Sequence, residues 1–90
     1  MVVLTERAKR ELKTILSWVA PVSPEIGLRI TSAERGRFKV VPDTEKEDDQ
    51  VIKHEGCKVL LICRELAELL EGATLDYQSG DEGECLIVWS

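Results

Sequence analysis

The sequence predicts an α+β protein that is mostly β: a compact core of mixed strands, an N-terminal helix, and a short helix before the last two strands. Three observations predict it. Apolar residues over positions 8–19 recur at helical spacing and form a single face. From Leu28 to Val40 they instead alternate with polar residues, the period of a half-buried strand. Around Leu66 to Leu70 the helical period returns briefly before two further strand-like runs.

The elements follow in order. Thr5 suits the N-cap of the first helix, and Glu6 in the first turn complements the helix dipole. Ala8, Leu12, Ile15, Leu16 and Val19 make its apolar face, with Lys9, Arg10 and Lys13 off it. Pro21 drives Ala20 away from helical angles, and Pro24 reinforces the stop. Leu28 and Ile30 alternate with Arg29 and Thr31, and Phe38 and Val40 alternate with Arg37 and Lys39. These are two strands around a charged reversal, Glu34-Arg35-Gly36-Arg37, where Gly36 supplies the backbone freedom of a tight turn. Residues 42–50 are polar and unpatterned, which predicts a surface loop.

A strand over 51–54, a turn near Glu55-Gly56 and a more buried strand over 57–62 come next. Leu66, Leu69 and Leu70 share one face of a helix over 64–71, with Gly72 as its C-terminal stop. Strands over 73–78 and 84–89, joined by the turn 79–83, complete the order α-β-β-β-β-α-β-β. With no internal repeat and no linker, all of residues 1–90 are expected to share one core.

Composition narrows the partners. A formal net charge of −5 argues against nucleic acid and against an anionic membrane surface as partners, since both require a basic face. The longest apolar run, Val59 to Cys63, is far short of a membrane span, and the start of the chain has no signal-peptide pattern. A cytoplasmic protein is expected, and the odd number of cysteines, three, fits a reducing compartment.

Little chemistry is visible. Cys57 and Cys85 sit in strand patterns and are expected to be buried core residues, behaving as small hydrophobes. Cys63 precedes the second helix, where the helix N-terminus and Arg64 would favour a reactive thiolate. His54 has no second imidazole to complete a metal site, and the run Glu45–Asp49 lacks the spacing of a calcium loop. No phosphate loop, nucleophile elbow or Cys/His pairing appears, so no catalytic, cofactor-binding or metal-ligating residue is expected.

The stretches LTERAKRELKTIL, GLRI, EDDQVIKHEGCKVLLI and ELAELLEGATLDY, in this order, resemble the HesB-like family of A-type iron–sulfur carriers (IscA-like) from about Leu4 to Val88. The resemblance implies a compact fold of mixed strands with flanking helices. It also implies iron or cluster binding through three thiolates: one in a Cys-Ser-Gly type turn after the first long strand, and two in a C-terminal Cys-Gly-Cys pair. Soft sulfur donors are what such clusters require.

The ligand turn falls at Glu34, Arg35 and Gly36, which supply no thiol, and no Cys-Gly-Cys pair occurs before Ser90. The expectation is a degenerate member, with no iron or cluster unless through a non-standard site. Two readings of function follow. One is a HesB-like protein connected with iron–sulfur cluster biogenesis, acting through protein partners. The other is a non-catalytic interaction module that has kept only the scaffold. A homo-oligomer fits either.

Overall fold

The structure, a computed structural model, describes residues 2–19, 25–32, 37–80 and 83–89. Seven strands and two helices are present among them: β1 (Val3–Leu4), α1 (Glu6–Val19), β2 (Ile26–Ser32), β3 (Arg37–Thr44), β4 (Gln50–His54), β5 (Cys57–Ile62), α2 (Arg64–Leu69), β6 (Thr74–Gly80) and β7 (Gly83–Trp89). The strands form one sheet in the order β1-β6-β7-β3-β2-β5-β4, parallel at β1–β6 and β2–β5 and antiparallel elsewhere.

The strand-rich α+β prediction therefore holds, with one addition. β1 is too short for any periodic signal; its place is fixed by Val3 N–H donating to the Ala73 carbonyl (2.9 Å) and Thr5 N–H to that of Leu75 (3.0 Å). α1 packs on β5 and β6, which lie second from opposite ends of the strand order. One helix can reach both only if the sheet coils strongly, and the result is a mixed half-barrel around α1.

The core lines that concave face. Ala8, Leu12 and Leu16 of α1 meet Leu28, Ile30, Phe38, Leu60, Ile62, Leu75, Tyr77 and Leu86, all buried. Thr5 caps the helix as expected, its hydroxyl accepting from Ala8 N–H at 3.1 Å. Val19, expected on the buried face, is exposed, because the helix has passed the edge of the core by its last turn. The stop at Pro21 and Pro24 lies outside the described residues.

Three further expectations are corrected. Residues 42–44 are strand: Leu28 pairs with Pro42, Gly27 with Asp43 and Ile26 with Thr44, so the β3–β4 loop is shorter than the polar composition predicted. Pro42 is tolerated because β7 pairs with β3 only at Arg37 and Phe38, leaving this part of β3 without a second ladder. In α2, Leu69 is exposed while Leu70 and, in part, Leu66 and Ala67 face the core. The helix ends at Leu69, and Leu70 at the C-cap still donates to the Leu66 carbonyl (2.9 Å), so it stays on the inward face of Leu66, four residues earlier.

The two reversals read from glycine hold. Glu55 and Gly56 both take positive φ (52° and 81°), the mirror-image turn that suits a two-residue hairpin, and Gly72 (φ 80°) follows α2. At the 79–83 turn, β6 and β7 run further than predicted, to Gly80 opposite Gly83. No helix among the described residues is long and apolar enough to cross a membrane.

Candidate functional site

The candidate site lies at the end of the sheet where β2 stops at Ser32 and β3 begins at Arg37. Glu34, Arg35 and Gly36 themselves lie outside the described residues, but the register places their surroundings. Arg37 is opposite Ile87 of antiparallel β7, so β7 continues toward the same end. β5 runs parallel to β2 with Leu61 opposite Arg29, which sets Cys63 at about the level of Thr31 on the neighbouring strand.

Of the three thiols, then, Cys63 lies toward the ligand-turn end. Cys57 opens β5 at the far end, opposite His54 across the hairpin. At a strand rise of about 3.3 Å per residue it stands roughly 20 Å from Cys63. Cys85 lies on β7 opposite Gln78 and farther from the turn than Ile87. Among the described residues no three His, Cys, Asp or Glu side chains converge as a metal site. Within one chain, Cys57 and Cys63 stand too far apart to ligate the same iron–sulfur cluster, which needs its sulfur donors brought together.

All three cysteines are free and half-buried. The expectation of full burial for Cys57 and Cys85 is corrected: Cys57 adjoins a hairpin turn, and Cys85 lies where β7 has left its pairing with β3. Cys63 is the N-cap of α2 in extended conformation (φ −65°, ψ 158°); its carbonyl accepts from Ala67 N–H at 2.8 Å and its side chain caps nothing. Arg64, expected to favour the Cys63 thiolate, instead points along the helix to Glu68 (3.5 Å).

The most developed polar cluster is one the sequence reading placed in solvent. Arg29 lies on the convex face of the sheet with its side chain 13% exposed, in register with Leu61 and Val41. Its Nε donates to Asp43 Oδ2 (2.6 Å), Nη1 and Nη2 to the two oxygens of Asp49 (2.9 and 2.5 Å), and Nη2 also to the Thr44 carbonyl (3.2 Å). Asp49, read as part of a solvated run, is 3% exposed and also accepts from Lys46 N–H at 2.7 Å.

The hydrogen bonds from Arg29 hold the Asp49 and Asp43 carboxyls below the usual range, and those carboxylates raise the pKa of the guanidinium. The cluster closes the β3–β4 loop onto the sheet. No spacing rule reveals it, because its members sit 14 and 20 residues from Arg29. The signal available was an arginine at an alternating strand position with carboxylates clustered beyond the next strand.

Two smaller contacts tie α1 to the sheet. Lys13 pairs with Glu55 at the β4–β5 turn; this partner raises the pKa of Lys13, and Lys13, ahead of His54, lowers that of Glu55. The Thr5 hydroxyl donates to Asp76 Oδ1 (2.6 Å), the leading cause of a lowered Asp76 pKa, while Tyr77 N–H donates to the same oxygen (2.9 Å). These contacts position elements and leave no open donor set.

No protein-family model and no curated protein sequence matches the chain. Solved structures do. SufA of Escherichia coli, described as involved in biosynthesis of iron–sulfur clusters, is 19% identical with a TM-score of 0.65, covering 99% of this chain and 84% of its own. IscA, crystallised with a [2Fe–2S] cluster, is 25% identical with a TM-score of 0.59, over 100% and 82%. A protein from Aquifex aeolicus solved by NMR in solution is 24% identical with a TM-score of 0.71, over 97% and 88%. The chain has the fold of the A-type carriers, and its resemblance to the HesB-like family holds at the level of architecture.

Proposed function

We propose that this protein is a cytoplasmic, non-catalytic HesB-like protein connected with iron–sulfur cluster biogenesis, which does not carry a cluster through the family's thiolates and acts through protein partners. The observation that carries the reading is the fold it shares with SufA and IscA along nearly its whole length. The absence of a thiol at Glu34, Arg35 and Gly36 and the dispersal of Cys57, Cys63 and Cys85 support the second half. A fold can be inherited while its site is not, since function resides in particular side chains placed on it.

Anaerobic reconstitution with iron and sulfide tests this. After desalting, no stoichiometric iron, sulfide or visible absorption is expected to remain. A stable chromophore near one cluster per chain or per dimer would refute it, and Cys63 would then be the first residue to replace. The alternative, an interaction module with no link to cluster assembly, draws on the exposed Trp18 and Leu69, which the fold itself does not use.

A further inference from the structure

The β4–β5 hairpin sets a thiol beside the one histidine of the chain. Cys57 and His54 are direct cross-strand partners on either side of the turn Glu55-Gly56, so their side chains share a face with Cβ atoms about 5 Å apart. That face is turned toward α1: Cys57 is half-buried against the core, and Lys13 reaches the turn to pair with Glu55. The Glu55 hydrogen bond leads the rise in the Lys13 pKa, and Cys57 adds to it by charge, which puts the ammonium within electrostatic reach of the sulfur. Glu55 Oε1 also lies 3.5 Å from His54 Nε2; this carboxylate favours the proton on Nε2 and leaves Nδ1 to accept another. Lys58, next along β5, is engaged with Glu45 (3.1 Å). Neither other thiol has an imidazole neighbour: Cys63 follows β5 at its opposite end, and Cys85 lies on β7 opposite Gln78.

We propose that Cys57 is a site of reversible thiolation by low-molecular-weight disulfides, with His54 as its base and Lys13 as the neighbouring positive charge. A thiol beside an imidazole and an ammonium is the setting in which cysteine becomes nucleophilic. Half-burial between α1 and the turn favours a small reagent over another folded chain. The other two thiols lie in separate parts of the sheet, so none within the chain stands ready to resolve the product, and the mixed disulfide persists. In the step, His54 Nδ1 takes the Cys57 proton and the thiolate attacks one sulfur of the disulfide. A new S–S bond forms as the old one breaks. The other half leaves as a thiolate and takes the proton from the imidazolium. Cys57 is oxidised and one half of the reagent is reduced, with no further oxidant needed. The site is separate from the cluster reading above and does not depend on it.

Incubation of the native protein with excess oxidised glutathione, followed by peptide mass mapping, tests this. The adduct is expected on Cys57 first, about tenfold or more ahead of Cys63 and Cys85, and dithiothreitol should remove it. His54→Gln should slow modification of Cys57 by about tenfold or more and leave the rates at the other two thiols unchanged. Lys13→Gln should also slow it, whereas Lys13→Arg, which keeps the charge, should not. Circular dichroism checks that each variant is folded, and in urea the order among the three thiols should vanish. No adduct, or first modification at Cys63 or Cys85, would overturn the proposal. So would a Cys57 rate unchanged in folded His54→Gln or Lys13→Gln, or a native order that survives in urea, since each shows that the hairpin setting contributes nothing.

Discussion

Arg29→Ala is the most informative perturbation of the fold. The substitution removes all four donor contacts of the guanidinium and leaves Asp49, 3% exposed, with the Lys46 N–H as its remaining partner. Removing one member of a buried ion pair costs about 3–5 kcal/mol, because the other charge is left in a poorly solvated place. Here the Arg29 side chain retains 13% exposure and Asp43 a third, so water can reach part of the cluster. That partial solvation brings the expected loss to the bottom of this range or just under it, about 2–3 kcal/mol. In a domain of this length that corresponds to a drop in Tm of roughly 10–20 °C.

Urea unfolding of the two proteins across pH separates the charge contribution from lost packing. Asp43 and Asp49 have lowered pKa values in the folded state, so their contribution is present above the ordinary aspartate pKa and fades as pH falls through the folded value. The difference between the unmodified protein and Arg29→Ala should be largest near pH 7 and narrow toward acid, first as the unpaired, poorly solvated Asp49 of the variant takes up a proton and then as the paired carboxylates of the unmodified protein do. Arg29→Lys should recover only part, since a point charge cannot serve two carboxylates as a fork does. A loss under about 0.5 kcal/mol at pH 7 would refute the reasoning, because it falls within ordinary surface variation. A difference that persists undiminished into acid would assign the loss to packing of the arginine stem.

Gly27→Ala should destabilise by about 1–3 kcal/mol, the cost of overpacking. A Cβ there would lie 2.9 Å from the Lys58 carbonyl oxygen and 3.1 Å from Leu61 Cγ, forcing β2 and β5 apart; an unchanged urea midpoint would show that the parallel pair yields freely. Thr5→Ala should cost about 1–2 kcal/mol, through loss of the helix cap and its hydrogen bond to Asp76. Thr5→Ser should retain most of that stability, and an equal loss in both would point to the methyl group instead.

The elements were legible where a period ran long enough to be counted. α1 was visible from Ala8, Leu12 and Leu16, and the hairpin at Glu55-Gly56 from its turn chemistry. The errors arose where tertiary contacts override local pattern. Pro42 to Thr44 look like loop, yet β2 supplies a complete ladder of partners for them. Leu69 has helical spacing but occupies the last turn of a six-residue helix whose side faces solvent. Asp49 sits in a run of charges that reads as hydrated, and only a guanidinium reaching across from β2 makes burial of its carboxylate tolerable. Pairing at such separation leaves no periodic trace.

The site was legible in a different sense, as a place rather than as a chemistry. Leu28, Ile30, Phe38 and Leu86 are buried core residues that hold β2, β3 and β7 together. Their packing brings the β2–β3 turn and the end of β7 to one end of the sheet without help from anything bound there. Residues on loops beyond a core generally tolerate substitution at little cost in folding. The fold shared with SufA and IscA therefore does not by itself call for thiols at residues 34 and 35, which are glutamate and arginine in this chain. A soft metal centre needs several donors within one coordination sphere, and within one chain Cys57 lies at the other end of β5 from Cys63 while Cys85 lies on a different strand, β7. Fold and cargo are separate properties: the strand order sets a place, and the donor atoms decide what can be held there.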